Sequence, residues 1–193
     1  MTLNIILLGP PGAGKGTQAE GIARRYDVPA ISSGDLFRDN IKRHTPIGDR
    51  IVEIIGRGDF VPDVITTSLV FQRISEPDCW RGWLLDGYPR TLAQVEALDI
   101  VLDETKTHLD AVIALTADPE ALIERMLLRA EQQGRADDNA EAIRHRIEVY
   151  HAETADVIES YRSRGLVLEV DAIGTVDEVA DRIVTALEAL IAR

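Results

Sequence analysis

The sequence predicts an α/β fold of three layers, with a central parallel sheet of five strands. Short apolar runs typical of strands lie at residues 4–8, about 29–31, 83–85, 111–115 and 167–170. Patterns of helical spacing separate these runs, and such alternation is typical of a mainly parallel sheet with helices on both faces. Because no internal repeat or low-complexity linker divides the chain, we expect a single domain over residues 1–193.

Composition and charge narrow the function. The chain has 193 residues, 45% of them hydrophobic, which is enough for one domain with a sizeable core. Its formal net charge of −12 argues against broad binding of nucleic acid or anionic membranes. Cys79 is the only cysteine, which excludes an intrachain disulfide and a cysteine-rich zinc site. Since no apolar stretch resembles a signal sequence or a membrane span, we expect a cytoplasmic protein.

The first strand leads into a glycine-rich loop, Gly9 to Thr17, with the sequence Gly-Pro-Pro-Gly-Ala-Gly-Lys-Gly-Thr. Glycines let backbone N–H groups point at a polyphosphate, the following helix adds partial positive charge, and Lys15 supplies a mobile cation. The strand before the loop and the helical spacing after it favour a phosphate-binding loop (P-loop) over a plain turn. The general motif has a hydroxyl residue directly after the lysine. Here the hydroxyl comes one position later, at Thr17, which leaves direct metal coordination by Thr17 open.

The second strand is followed by Ser32-Ser33-Gly34-Asp35-Leu36-Phe37-Arg38, which alone is as consistent with a capped helix start as with a ligand site. Residues 39–75 then read as two or three short helices, broken at Pro46, Gly56, Gly58 and Pro62. Such a segment predicts a helical insertion that packs on the edge of the sheet.

The third strand ends at Asp86, within Asp86-Gly87-Tyr88-Pro89-Arg90-Thr91. A carboxylate at the end of a buried strand beside a phosphate loop can hold Mg²⁺ through its waters, although it can also simply cap a loop. The guanidinium of Arg90 is suited to bidentate contact with a phosphate.

After the fourth strand, Arg125 and Arg129 lie four residues apart on a predicted helix, where a solvated charged face is the default explanation. The stretch Arg135-Ala136-Asp137-Asp138 follows, and Arg146 lies eleven residues after Arg135.

These motifs together resemble the adenylate kinase family of nucleoside monophosphate kinases. Its loop is similar to Gly-Lys-Gly-Thr-Gln, its Asp-Gly-Phe/Tyr-Pro-Arg signature matches residues 86–90, and its ordered arginines match the later ones. The resemblance covers nearly the whole chain. It implies a P-loop fold with a core over 1–31, 63–129 and 138–193, an insertion for the nucleoside monophosphate over about 32–62, and a short lid over about 129–138.

The resemblance also implies roles for individual residues. ATP would be bound by Gly12, Ala13, Gly14, Lys15, Gly16, Thr17, Arg125, Arg129 and Gly174. AMP would be bound by Ser33, Arg38, Asp59, Phe60, Val61, Gly87, Arg90, Gln94, Arg135 and Arg146, with Asp59 and Val61 acting through main-chain groups. The catalytic residues would be Lys15, Arg90, Arg129, Arg135 and Arg146, and Asp86 would hold Mg²⁺ through water.

The implied reaction interconverts magnesium-bound ATP plus AMP with two ADP and so maintains the adenine nucleotide balance. The resemblance also implies a monomer with a short lid. No structural zinc is expected, because the lid holds no cysteine. One alternative is a UMP/CMP-type kinase, but in those enzymes Asn typically follows the arginine, and here Thr91 follows it. The other is a non-catalytic P-loop nucleotide-binding protein, which would not need arginines on both sides of the site.

Overall fold

The computed structural model describes residues 2–118, 121–123, 125–127 and 140–191. Within these residues the sheet consists of β1 (Leu3–Leu8), β2 (Ala30–Ser32), β3 (Gly82–Asp86), β4 (Ala111–Thr116) and β5 (Val167–Asp171). The strand order is β2-β3-β1-β4-β5, and every neighbouring pair is parallel. The predicted five-stranded parallel sheet is therefore confirmed.

Helices connect the strands. They are α1 (Lys15–Tyr26), α2 (Ser33–Lys42), α3 (Pro46–Arg57), α4 (Asp63–Ile74), α5 (Leu92–Glu104), α6 (Ala140–Ser163) and α7 (Val176–Ile191). A short 3₁₀ turn covers Pro77–Cys79, and residues 121–123 and 125–127 are also helical. None of the described helices is both long enough and apolar enough to cross a bilayer.

Local sequence explains where the helices of the predicted insertion begin and end. The Thr45 side chain accepts a hydrogen bond from the Gly48 N–H, and Pro46 occupies the first turn of α3, where its missing N–H costs nothing. Gly58 ends α3 with a φ of 83°, a conformation that glycine adopts without strain.

The strand β1 shows how one sheet supports two layers of helices. Its side chains alternate between the faces, so Ile5 and Leu7 pack into a different cluster from Ile6 and Leu8. The first cluster is closed by α1 and α7, and the second by α4, α5 and α6. Both faces of β1 are buried, as parallel sheets require.

Helices α2 to α4 also share a small apolar cluster of their own. Its buried members are Phe37, Ile51, Val61 and Leu69. This cluster holds the three helices together beside β2, so they form one wall next to the carboxyl end of the sheet.

The register of the strands brings the predicted motifs to one edge. Asp86 at the end of β3 pairs with Leu7 of β1 on one side and with Ser32 of β2 on the other. The glycine-rich loop, the start of α2 and the segment after Asp86 therefore leave the sheet side by side, where ligands of such folds bind.

Candidate active site

The glycine-rich loop between β1 and α1 has the backbone shape of an anion site. Gly12 and Gly14 have φ values of 85° and 82°. A Cβ atom on Gly12 would also lie 2.7 Å from the carbonyl oxygen of Leu122, so this position excludes a side chain on two grounds. No acidic residue lies in the first turn of α1, which leaves its positive end available to an anion.

Lys15 is the first residue of α1 and turns back over the loop. Its Nζ donates hydrogen bonds to the carbonyl oxygens of Gly9, at 2.8 Å, and Pro10, at 2.9 Å. The ammonium group of Lys15 is thereby held next to the start of the loop and does not extend into solvent.

A groove runs from the loop to the segment that follows β5. We call it the loop groove; it is bounded by Gly12 to Thr17, Asp86, Arg125 and Gly174. Two hydrogen bonds fix its far side: the Gln18 side chain donates to the carbonyl oxygen of Val176 at 2.9 Å, and Arg125 donates to that of Ala172 at 3.1 Å. The residues predicted to bind ATP that the structure describes therefore lie around one groove.

Asp86 places a buried carboxylate in the loop groove, with only 8% of the residue exposed. Burial raises its pKa, against the nearby positive charges of Lys15 and Arg90. A Cβ atom on Gly16 would lie 4.0 Å from Asp86 Oδ2, so the glycine leaves space open beside the carboxylate. One carboxylate with open space next to a phosphate loop fits a Mg²⁺ ion that keeps most of its waters.

A second cavity lies between helices α2 to α4 and the end of β3. We call it the helix pocket; Phe37, Ile55, Val61, Gly87 and Gln94 are among its walls. The predicted AMP residues Ser33, Arg38, Asp59, Phe60, Arg90 and Arg146 also line it.

Gly87 permits the close packing at the floor of this pocket. Its φ is 75°, and a Cβ atom there would lie 2.7 Å from Arg90 Nη2 and 3.0 Å from Ser33 Oγ. The buried Ser33 hydroxyl donates to the Gly87 carbonyl oxygen at 2.8 Å, so in this structure it bonds to the backbone.

Arg90 is held from several directions. Its Nε donates to the Gly87 carbonyl oxygen at 2.8 Å, and its guanidinium carbon lies 5.1 Å from the centre of the Phe60 ring. Burial, helped by the positive charge of Arg146, lowers its pKa to about 10. The side chain is still cationic near neutral pH and points a partly desolvated charge into the pocket.

The two cavities meet at positive charge. Among the described residues, the basic side chains that line both cavities are Lys15, Arg38, Arg90 and Arg146. Arg38 is paired with Asp35 at 2.6 Å, while 39% of its side chain remains exposed. A phosphate-bearing ligand in each cavity would therefore have its phosphates beside the same group of cations.

Gln94 and Asp59 are also placed at the helix pocket, with defined contacts. The Gln94 side chain is buried and accepts a hydrogen bond from the Arg90 N–H at 2.8 Å. The Asp59 carboxylate lies 2.7 Å from His145 Nε2 and 3.1 Å from Arg57 Nε, and both contacts lower its pKa, His145 more strongly. Asp59 thus links the end of α3 to α6.

The structure adds residues to the helix pocket that the sequence analysis missed. Tyr150 and Thr154 lie on α6, one and two turns after Arg146, and line the same wall. Burial raises the pKa of Tyr150 to about 12, so its phenol is neutral. The spacing of both residues from Arg146 could have predicted this position, because residues four apart on a helix lie on the same face.

Two predicted catalytic arginines, Arg129 and Arg135, lie outside the described residues, as does the lid predicted over about 129–138. Their roles stay predictions. In the part of the chain that is described, no cluster of three or more His, Cys, Asp or Glu side chains could hold a metal.

A parallel sheet with a glycine-rich loop after its first strand places the chain in the class of P-loop nucleotide-binding proteins. A family model described as adenylate kinase matches residues 7–166. The adenylate kinase of Leifsonia xyli is 55% identical over 183 residues, which cover 95% of this chain and 92% of that protein. The adenylate kinase of Pseudarthrobacter chlorophenolicus is 50% identical and covers 96% of each chain, and that of Clavibacter michiganensis is 53% identical over 95% and 92%.

The chain belongs to the adenylate kinase family. It is therefore an enzyme of the class that transfers a phosphoryl group from ATP to AMP, as the sequence predicted. Neither alternative, the UMP/CMP-type kinase or the non-catalytic nucleotide-binding protein, is favoured by these similarities.

Proposed function

We propose that this chain transfers the terminal phosphoryl group of magnesium-bound ATP, held in the loop groove, to AMP, held in the helix pocket. The products are two ADP, and the reaction keeps the adenine nucleotides in balance. The observation that carries the proposal is the set of cations shared by the two cavities, Lys15, Arg38, Arg90 and Arg146.

Phosphoryl transfer needs the arrangement that these cations offer. The transferred group spreads negative charge over its oxygens while the donor and acceptor oxygens stand in line, so positioning and positive charge do most of the work. In this proposal the loop and Lys15 hold the donor phosphates, and Arg38 and Arg90 hold the acceptor phosphate. Arg146 stabilises the phosphoryl group during transfer, together with the predicted Arg129 and Arg135.

The remaining binding residues position the two nucleosides. Arg125 and Gly174 lie at the far side of the loop groove, where the adenosine of ATP would extend. In the helix pocket, Gln94 would contact the AMP base, with Ser33, Phe60 and the main chain of Asp59 and Val61 around it.

Asp86 is the residue that would hold Mg²⁺, through water. Held there, the ion would neutralise part of the negative charge of the phosphates. Asp86 contributes a fixed, buried carboxylate whose unfavourable desolvation a nearby cation would relieve.

No side chain is needed as a general base. An oxygen of the AMP phosphate is already anionic near neutral pH, whereas a sugar or protein hydroxyl would have to lose a proton. The competing reaction is attack by water, which closure of the site prevents. We assign this closure to the insertion over about 32–62 and the lid over about 129–138, moving on the core over 1–31, 63–129 and 138–193.

An acceptor panel tests this function. Mg²⁺-dependent formation of ADP from ATP is measured with AMP, CMP, UMP or dTMP, and without an acceptor to measure hydrolysis. ADP formation that requires AMP supports the proposal. Turnover with CMP or UMP instead would indicate the pyrimidine kinase, and tight binding of ATP without transfer would indicate the non-catalytic protein. The monomeric state, the cytoplasmic location and the absence of zinc stay predictions, which sedimentation, cell fractionation and elemental analysis would check.

A further inference from the structure

The Gln94 side chain is held at both ends of its amide. Nε2 donates a hydrogen bond to Asp63 Oδ1 at 2.6 Å, and Oε1 accepts one from the Arg90 N–H at 2.8 Å. An ionised carboxylate only accepts hydrogen bonds, and a backbone N–H only donates. The two neighbours therefore allow one orientation of the amide, whereas the flipped orientation would pair donor with donor and acceptor with acceptor.

Asp63 is itself fixed. It is the first residue of α4, and its second carboxylate oxygen accepts a hydrogen bond from the Thr91 hydroxyl at 2.8 Å. Thr91 in turn caps α5 by accepting from the Gln94 N–H at 3.2 Å. The carboxylate thus links the starts of two helices and holds the buried amide between them.

Beyond its hydrogen bonds to the described residues Asp63 and Arg90, the amide can still offer one donor and one acceptor to a ligand. Nε2 carries a second N–H, and Oε1 has a second lone pair. Gln94 lines the helix pocket, so these two groups are what it can offer there. An N–H beside a carbonyl oxygen matches a base edge with an acceptor beside an amino donor, as in the N1 and 6-amino groups of adenine. The same amide orientation does not match hypoxanthine or guanine, because their N1–H would face the amide N–H and their 6-oxo group would face the amide oxygen.

We propose that Asp63 is a specificity-determining positioning residue, which holds the Gln94 amide in the orientation that accepts adenine and rejects 6-oxopurines. The inference rests on the proposed function, since it requires that the AMP base binds in the helix pocket. A site built to hydrogen-bond one pattern discriminates strongly against the other, because its buried groups are left unpaired by the wrong base.

The test compares AMP with IMP, whose base differs from adenine at the 6-amino group and N1. We expect Asp63→Ala to lower kcat/KM for AMP about tenfold, mainly through KM, and to lower the AMP-to-IMP ratio of kcat/KM about tenfold. The KM for ATP should stay unchanged. Asp63→Asn should recover most of the ratio, since its amide oxygen can accept from Gln94 while its N–H₂ donates to the Thr91 hydroxyl.

A matched control measures the effect of removing an acidic side chain from the start of a helix, since Asp63 is also in that position. Asp49 lies in the first turn of α3, with 65% of its side chain exposed, so Asp49→Ala loses a similar interaction with a helix end. Asp49→Ala should leave the AMP-to-IMP ratio as it is in the parent protein.

A double-mutant cycle shows whether Asp63 acts through Gln94. In a Gln94→Ala background, Asp63→Ala should no longer change the AMP-to-IMP ratio. An unchanged ratio in Asp63→Ala alone, or an effect that persists in full without Gln94, would overturn the inference. If AMP is not an acceptor for the parent protein, the proposed function fails instead. If Gln94→Ala leaves the KM for AMP unchanged, the proposed contact between Gln94 and the AMP base fails.

Discussion

The Nζ atom of Lys15 lies 2.8 Å from the carbonyl oxygen of Gly9, the first residue of the phosphate loop. The lysine at the start of α1 is therefore held over the loop that it serves, close to where the outer phosphates of ATP would lie. The same side chain borders both cavities, so its positive charge can act on the phosphates of ATP and on the phosphoryl group that is being transferred.

Removal of this cation should abolish transfer. We expect Lys15→Ala to reduce kcat by about three orders of magnitude or more, the range of a lost phosphate clamp in phosphoryl transfer. The measurement is ADP formation at saturating AMP, with circular dichroism to show that the variant is folded. Lys106→Ala is the control, because this lysine is exposed and its ion pair with Asp103, at 3.1 Å, is exposed as well. Near-normal turnover in folded Lys15→Ala would refute the role of Lys15.

Arg90 should be specific to the acceptor side. We expect Arg90→Ala to weaken AMP binding severely and leave ATP affinity almost intact, since Arg90 contacts Gly87 and Phe60 in the helix pocket. Arg90→Lys should recover only part of the loss, because an ammonium cannot make the bidentate contact of a guanidinium. Equilibrium titration with each nucleotide separates the two sites. Equal weakening of ATP and AMP would contradict the assignment, and Arg25→Ala, on the outer end of α1, controls for loss of charge.

Asp86 should set the magnesium dependence. Asp86→Asn keeps the shape of the side chain but removes its charge, so a Mg²⁺ ion held through water loses its fixed anion. We expect a loss of about 10-fold to 100-fold in the rate at low Mg²⁺, the usual effect of losing an outer-shell partner, with a higher Mg²⁺ concentration needed for half-maximal rate. The exposed Asp103→Asn is the control. A magnesium titration that coincides with that of the parent protein would remove Asp86 from the metal site.

Cys79 should be chemically inert in the folded protein. Burial raises the pKa of its thiol to about 11, so at pH 8 only about one molecule in a thousand carries the reactive thiolate. We expect alkylation by iodoacetamide to be at least about 100-fold slower than that of a small free thiol. Its rate should rise about tenfold for each pH unit up to about 11, and unfolding in urea should abolish the protection. Rapid labelling of the folded protein at pH 8 would disprove this environment.

The sequence predicted the parts of the site that local spacing encodes. Lys15 lies in the glycine-rich loop that follows the apolar strand β1, and Asp86 is the last residue of the apolar strand β3. Their motif and their place at the carboxyl edge of the sheet can therefore both be predicted from the sequence. The strands themselves were predictable because runs such as residues 4–8 are apolar on both faces.

Contacts between distant segments were not predictable in the same way. Asp63 and Gln94 are 31 residues apart, and an aspartate at the start of a helix is ordinary for reasons of the helix dipole alone. The contact of Asp59 with His145 spans 86 residues. Neither pair leaves a periodic signal, because each depends on how separate helices pack against one another rather than on spacing within one helix.

The central claim is phosphoryl transfer, rather than hydrolysis, between two nucleotides whose phosphates meet at Lys15, Arg38, Arg90 and Arg146. It is tested by ATP carrying ¹⁸O in the γ-phosphoryl group, incubated with unlabelled AMP, Mg²⁺ and the enzyme. During the first turnovers, mass spectrometry should find the label in the β-phosphoryl group of ADP formed from AMP, with little in inorganic phosphate. Label that appears in inorganic phosphate at the same rate with or without AMP would show hydrolysis instead, and would contradict the account.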